Sequence, residues 1–334
     1  MGIPELALGA SAPYTSKRRS SGCDDRCLRD WWRPMLLDTF DYIRPNGLAE
    51  VLKVLDDLKH ARAQVIAGGT DLIPALRDRA TQADHVVDLS GASLDTLVFE
   101  RGEARIGPLV TFARLCEDRD VAAKLPALAR AAALVGAVQC RNLATIGGNL
   151  CSAVPSLDSA PTLIAHDAKL RLQSRAGERV LPVEEFFVGP RRTVLAPGEI
   201  LTEILVPIDP SFAVTFEKLG RRKALTLSLV NAATGLALDA NGRVAKARIA
   251  LGAVAPTPVR ARAAERILEG QAPARERLAE AAAAVTSDIA PISDLRASAD
   301  YRRKMSVVLV RRALEQSLGR LRGEDVMAAG EAGR

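Results

Sequence analysis

The sequence predicts an α+β protein: a first part that mixes short strands with helices, then a small antiparallel sheet backed by helices. Three observations carry this. Over residues 47–59 the apolar positions Leu48, Val51, Leu52, Leu55 and Leu58 recur at helical spacing, flanked by short apolar runs at 64–67 and 85–89. Beyond residue 210 the stretches 214–218, 227–238 and 244–254 read as strands, the last two joined by the turn Asp239-Ala240-Asn241-Gly242. Three helical stretches, 260–268, 274–287 and 299–318, then close the pattern.

The elements follow in order. Residues 1–34 are rich in Ser, Gly, Arg and Asp, show no period and end at Trp31-Trp32-Arg33-Pro34. They are either a disordered extension or a segment upstream of a true start at Met35. The folded part opens at Phe40-Asp41-Tyr42-Ile43-Arg44-Pro45. The helix over 47–59 leads to a buried strand at 64–67 and a turn at Gly68-Gly69. Asp71 is placed to cap a helix over 72–79, with Pro74 in its first turn, where proline is tolerated. A strand over 85–89 precedes a hairpin of 97–99 with 104–106 across Arg101-Gly102-Glu103. Helices are expected over 111–117, 125–135 and 160–166, and strands over 168–173, 179–181 and 200–206. Ile208-Asp209-Pro210 reads as a linker, which gives a first domain over 35–209 and a second over 212–318. The small and charged residues of 319–334 read as a disordered tail.

Composition excludes several classes. A chain of 334 residues can hold two cores. Its 48% hydrophobic and 26% charged content is that of a globular protein, and with only 4% aromatics the core must rest on Ala, Leu, Val and Ile. The net charge of +6 is spread among acids, with Arg221-Arg222-Lys223 and Arg302-Arg303-Lys304 the tightest clusters, so it reads as a solvated mixed surface. It lacks the basic stripe with interleaved aromatics of a nucleic-acid binder. No apolar run approaches the roughly 20 residues of a membrane span. Arg18-Arg19 is followed by Ser-Ser-Gly-Cys-Asp-Asp, which argues against a signal peptide. Cys23, Cys27, Cys116, Cys140 and Cys151 contain no Cys-x-x-Cys, and with three histidines neither a cluster nor a hydrolytic metal site fits. Reduced thiols in a cytoplasmic protein is the economical reading, with Cys140 and Cys151 as buried small residues.

The most informative features are two glycine pairs. One stands in Ala67-Gly68-Gly69-Thr70-Asp71 and the other in Thr145-Ile146-Gly147-Gly148-Asn149. Glycine lets a backbone approach a ligand with no side chain between, and paired glycines can present consecutive N–H groups to phosphate oxygens. Two such loops flanked by hydroxyl and amide side chains suggest a diphosphate held from two sides. Tight strand-to-helix turns also need glycine. Neither the Gly-x-Gly-x-x-Gly nor the Gly-x-x-x-x-Gly-Lys-Ser/Thr fingerprint is present, which disfavours a Rossmann dehydrogenase and a P-loop ATPase.

These loops belong to a longer series: Gln139-Cys140-Arg141-Asn142-Leu143-Ala144 ahead of the second loop, Pro155-Ser156-Leu157-Asp158-Ser159-Ala160-Pro161, Gly189-Pro190-Arg191-Arg192-Thr193, Leu195-Ala196-Pro197-Gly198-Glu199-Ile200-Leu201 and Phe216-Glu217-Lys218-Leu219-Gly220-Arg221-Arg222. In this order the series resembles the medium, FAD-binding subunits of the molybdenum hydroxylases, the xanthine dehydrogenase and carbon monoxide dehydrogenase family, from about Met35 to about Leu318. The resemblance implies an FAD-binding domain of the vanillyl-alcohol-oxidase-like (PCMH) type followed by a carbon monoxide dehydrogenase flavoprotein C-terminal domain, a three-stranded antiparallel sheet with helices.

It also implies site residues: Ala67, Gly68, Gly69, Thr70 and Asp71 on one side of the FAD diphosphate, and Thr145, Gly147, Gly148 and Asn149 on the other. Backbone N–H groups and the hydroxyls of Thr70 and Thr145 are chemically able to donate there. Asp158 matches a family aspartate that helps hold FAD, or else simply caps the helix after it. Leu201 matches a position whose backbone contacts the cofactor, and otherwise reads as an ordinary strand residue. Lys218 matches a lysine close to the flavin, where a cation would tune its potential, or else is a solvated strand residue. The role of Arg221 and Arg222 stays open between the flavin cavity and a partner.

The function so implied is electron transfer. A large molybdopterin-binding subunit oxidises the substrate, a small subunit with two [2Fe–2S] clusters relays electrons, and this chain passes them to NAD⁺ or another acceptor, within a heterotrimer that dimerises. The missing cluster-ligand spacing agrees with clusters on another chain, and the cysteine-rich insertion of 4-hydroxybenzoyl-CoA reductases is absent. A stand-alone flavin oxidase or reductase of the same fold class, and a scaffold paralogue without flavin, are the alternatives. The substrate is not readable, because its pocket lies on a different polypeptide.

Overall fold

The computed structural model describes residues 37–324, and those from Thr39 onward belong to one compact unit. The readings of residues 1–34, of Met35 and of 325–334 lie outside the described residues. The fold opens with β1 (Asp41–Ile43), α1 (Leu48–Asp57), β2 (Ala63–Ile66), α2 (Leu72–Arg77) and β3 (His85–Asp88). Each helix returns the chain so that the strands run parallel, in the order β1-β3-β2. The apolar stripe of α1 packs Val51 and Leu55 against Val87 and Leu89.

Next come β4 (Leu97–Glu100) and β5 (Glu103–Ile106), the expected hairpin, turned by Arg101 and Gly102 at φ 51° and 74°. Six short helices follow: α3 (Phe112–Glu117), α4 (Arg119–Lys124), α5 (Pro126–Ala133), α6 (Val138–Leu143), α7 (Ile146–Ser152) and α8 (Ser159–Ala165). The sequence does not announce α4, which is too short to display a period. Asp118 starts it by accepting the N–H groups of Asp120 and Val121, both at 2.9 Å. The chain continues through β6 (Lys169–Ser174), β7 (Gly177–Pro182), the small pair β8 (Phe187–Gly189) and β9 (Arg192–Thr193), and β10 (Ile200–Pro207). β10 returns to the centre of a five-stranded antiparallel sheet of order β4-β5-β10-β6-β7. The inner face of this sheet, with Ile106, Leu170, Leu172 and Ile204, buries Phe112, Leu115, Leu128 and Leu163 of the helices.

The last part holds β11 (Ala213–Leu219), β12 (Val230–Leu238), β13 (Val244–Gly252), β14 (Val259–Arg260), α9 (Arg262–Leu268), α10 (Arg275–Ala284) and α11 (Ala299–Leu321). Its antiparallel sheet has four strands where the sequence suggests three, because two residues after the 255–258 loop pair with Ala250 and Leu251. β12 is buried on both faces. Val230, Ala232 and Leu236 meet α9–α11, while Ala233 and Ala237 meet Ala127, Ala131 and Ala165 of α5 and α8. That double burial explains its continuous apolar reading. α11 runs to Leu321, past the expected end at 318, and Arg302 within it is buried rather than solvated. Among the described residues no helix is long and apolar enough to cross a membrane.

Burial also sets a pH response. His166 follows α8, is 7% exposed, and its Nε2 has no partner among the described residues. Desolvation, then the charge of Lys246, push its pKa down to about 4, while Asp167 opposes them. The unfolded chain takes up that proton near pH 6.5. Between the two values the unfolded state therefore binds more protons, and stability falls as pH drops through this window, by about 2–3 kcal/mol. His166→Gln is expected to flatten that decline in urea midpoints measured from neutral pH down to about 4.5. Equal slopes for both proteins would refute this.

Candidate cofactor site

Residues 67–71 link β2 to α2 as the strand-to-helix turn that the sequence describes. Gly69 is in the left-handed region at φ 70°. Gly68 is required by contact: a Cβ there would lie 1.8 Å from the carbonyl oxygen of Leu143. Ala67, Gly68 and Gly69 are half-buried, and Thr70 and Asp71 are exposed. Among the described residues nothing accepts the backbone N–H groups of Gly68, Gly69, Thr70 or Asp71. Asp71 precedes α2 but makes no side-chain cap. Its own backbone is already helical, at φ −103° and ψ −43°, whereas a capping side chain reaches the next N–H groups from an extended backbone.

The second pair corrects the sequence reading. Gly147 and Gly148 lie in the first turn of α7, directly behind another short helix. Thr145, extended at φ −104° and ψ 152°, caps α7 by accepting the Gly148 N–H at 3.1 Å. The N–H groups of Ile146, Gly147 and Asn149 go to the carbonyls of Val110, Pro108 and Thr145 at 3.0, 2.9 and 3.0 Å. These N–H groups are therefore committed, and the expectation of a bare backbone nest here is not met. The cause is local: Thr145 bridges to Thr111, which draws the turn onto Pro108, and a Cβ on Gly147 would stand 2.3 Å from the Pro108 Cβ. What remains is side-chain chemistry, namely the hydroxyl hydrogen of Thr145 and the amide of Asn149. The two loops touch. Gly68 packs on Leu143 just ahead of Thr145, and a Cβ on Gly148 would lie 4.0 Å from that of Ala67.

Asp158 and Lys218 are each other's partners. The side chains are 7% and 4% exposed, and Nζ donates to Oδ2 at 2.5 Å. Lys218 also donates to the Leu134 carbonyl at 2.8 Å, and Ser228 and Asn231 donate to Asp158 Oδ1 at 2.5 and 2.8 Å. Both plain alternatives from the sequence are thus displaced: Asp158 makes no cap bond, and Lys218 is not solvated. The backbone of Asp158 is helical, so its carboxylate swings away from the N–H groups of α8 and toward the sheet. Leu201 is 3% exposed, its side chain sits in the main core, and it pairs with Leu172. Cys140 is half-buried and Cys151 exposed, against the expectation of burial, because both ride on short helices with one open face. Arg221 and Arg222 are exposed. Sequence reasoning passed over Ser159, Ser228 and Asn231. Ser159 stands inside a quoted motif, while Ser228 and Asn231 meet Asp158 only through the tertiary fold.

The geometry meets its match among known proteins. A family model described as the FAD binding domain in molybdopterin dehydrogenase matches residues 38–209, and one for the CO dehydrogenase flavoprotein C-terminal domain matches 215–317. The chain belongs to the family of FAD-binding subunits of molybdenum-containing dehydrogenases. It is 33% identical over 293 residues to the xanthine dehydrogenase FAD-binding subunit of Escherichia coli O157:H7, covering 86% of this chain and 99% of that one. The carbon monoxide dehydrogenase structure from Oligotropha carboxidovorans superposes with a TM-score of 0.81 at 33% identity, covering 86% of this chain and all of its counterpart. The quinoline 2-oxidoreductase structure from Pseudomonas putida gives 0.80 at 32%, covering 86% and 99%.

This FAD-binding subunit is therefore part of an oxidoreductase, and its cofactor is FAD. The donor set fits such a group. One loop carries four unclaimed N–H groups, and the other, in direct contact with it, carries a hydroxyl and an amide. A dianionic diphosphate asks for donors of this kind.

Proposed function

We propose that the diphosphate of FAD lies between loops 67–71 and 145–149, and that this chain passes electrons from the [2Fe–2S] clusters of a small subunit to NAD⁺ or another acceptor. The observation that carries the reading is the rim just described. In it the N–H groups of Gly68, Gly69, Thr70 and Asp71 are unclaimed, while Thr145 and Asn149 supply the opposing donors. Gly147 and Gly148 serve by keeping the second turn thin. The backbone of Leu201 contacts the cofactor, its side chain being committed to the core. The Lys218 ammonium, already paired with Asp158, acts on the flavin as one end of a dipole, not as a lone cation. FAD, when bound, accepts electrons singly and releases them as a pair, which suits a chain between iron–sulfur clusters and a hydride acceptor.

The FAD-binding domain spans 35–209 and the C-terminal domain 212–318 in this reading. A large molybdopterin-binding subunit and a small [2Fe–2S] subunit complete a heterotrimer, two of which associate. Support comes from the relatives, several of which carry the name of a medium chain or subunit, and from a cysteine spacing that holds no cluster here. The free thiols of Cys116, Cys140 and Cys151 accord with a cytoplasmic location.

Gly148→Val tests the site. A Cβ at Gly148 would stand 2.9 Å from the capping oxygen of Thr145, which must give way by a few tenths of an ångström, and 4.0 Å from Ala67, with no backbone atom of another element in its way. The exposed methyls would then occupy the diphosphate position. FAD content, read from flavin absorbance of the purified chain, is expected to fall by about tenfold or more, for the loss of one or two donor contacts. Full occupancy in a folded variant would place the cofactor elsewhere.

A further inference from the structure

We infer that Ser159 is a positioning residue of the cofactor site: its buried hydroxyl holds the Asn149 side chain at the rim, with the amide's N–H₂ end left to face the bound FAD. Asn149 has four polar handles and three are taken. Its backbone N–H donates to the Thr145 carbonyl at 3.0 Å, its carbonyl accepts the Ser152 hydroxyl at 2.8 Å, and its Oδ1 accepts the Ser159 hydroxyl at 2.7 Å. Nδ2 alone has no acceptor among the described residues. An asparagine amide is a donor or an acceptor according to which way it is turned. Turned the other way it would present a carbonyl oxygen to an anion.

A bound anion selects the N–H₂ end, and Ser159 is placed to anchor the other. It is fully buried as the first residue of α8, and its own carbonyl is tied down by the Thr162 hydroxyl at 2.6 Å. Because the residue is completely buried, its hydroxyl has no solvent to turn to. Its neighbour Asp158 is fixed by Lys218, Ser228 and Asn231, so the start of α8 is held from the C-terminal sheet as well. The role requires a buried hydroxyl ten residues after the asparagine, where a helix start passes beneath α7.

This inference rests on the FAD reading, and the test separates the two. The full-length chain is stripped of FAD and retitrated, as wild type, Ser159→Ala, Asn149→Ala and the double variant. Ser159→Ala removes one oxygen without adding bulk, and it is expected to weaken FAD binding about tenfold. In the Asn149→Ala background the same change is expected to alter affinity by less than about twofold, because Ser159 acts only through Asn149. A purely structural role would instead give equal losses in both backgrounds, and that result overturns the inference, as does unchanged affinity in Ser159→Ala. If Asn149→Ala binds FAD like wild type, the inference falls while the cofactor reading stands. If the wild-type chain takes up no FAD, both fall.

Discussion

Gly68→Ala is expected to yield a folded chain without bound flavin. One methyl group is the smallest possible insertion, yet here it would stand 1.8 Å from the Leu143 carbonyl oxygen and 2.5 Å from its carbon. Those are backbone atoms, followed by Ala144 and the capping residue Thr145, so no side-chain rotation relieves the clash. The loops must separate by more than an ångström. Overpacking of this kind costs about 1–3 kcal/mol of stability. The larger effect falls on the cofactor, because the donors of loop 67–71 and those of Thr145 and Asn149 no longer address one diphosphate. Loss of two charge-assisted contacts predicts about a hundredfold weaker FAD binding or worse. Titration of the apo-chain with FAD, with a melting curve beside it, measures both. Wild-type affinity in Gly68→Ala would show that the two loops do not act together. The contrast with Gly148, whose Cβ would press on one side-chain oxygen and not on the backbone of the other loop, makes the pair informative: the first glycine is needed for loop-to-loop contact, the second for room beside the ligand.

Much of this fold was legible because its signals are local. The stripe of α1, the hairpin turning at Arg101-Gly102 and the long runs of β12 and β13 each announce themselves within a dozen residues. Six-residue helices such as α4 and α6 span less than two turns, so no period accumulates, and α6, which leads straight into the second glycine loop, goes unannounced. The site residues were legible as a family pattern, but their physical division of labour was not. Nothing in Gly147-Gly148 says that the N–H groups of that turn are spent on Pro108 and Thr145, since Pro108 is brought there by the Thr111–Thr145 bridge. Likewise Asp158 looks like a cap by position and Lys218 like a surface residue by type. Their mutual burial arises only when α8 meets the second sheet.

That buried pair carries the other large expectation. Asp158 lies in the region matched by the FAD-binding family model and Lys218 in that matched by the C-terminal one, so their bond crosses from one to the other. Removing one member of a buried pair leaves a desolvated charge uncompensated, at a cost of about 3–5 kcal/mol. The two members should not be equal. Lys218→Met leaves the Asp158 carboxylate with two donors, Ser228 and Asn231, which soften the loss. Asp158→Ala leaves the ammonium with the Leu134 carbonyl alone, strands the Ser228 hydroxyl and leaves the Asn231 amide only the Leu157 carbonyl. Asp158→Ala is therefore expected to lower the melting temperature by about 5–8 °C, at about 1.5–2 °C per kcal/mol for a chain of this size. Lys218→Met should lower it by clearly less. The double variant should recover part of the deficit of Asp158→Ala, since an ammonium no longer sits unpaired in the interior. Melting curves of the three variants decide it: equal single losses would refute the asymmetry, and a double loss equal to their sum would mean that the pair is not coupled.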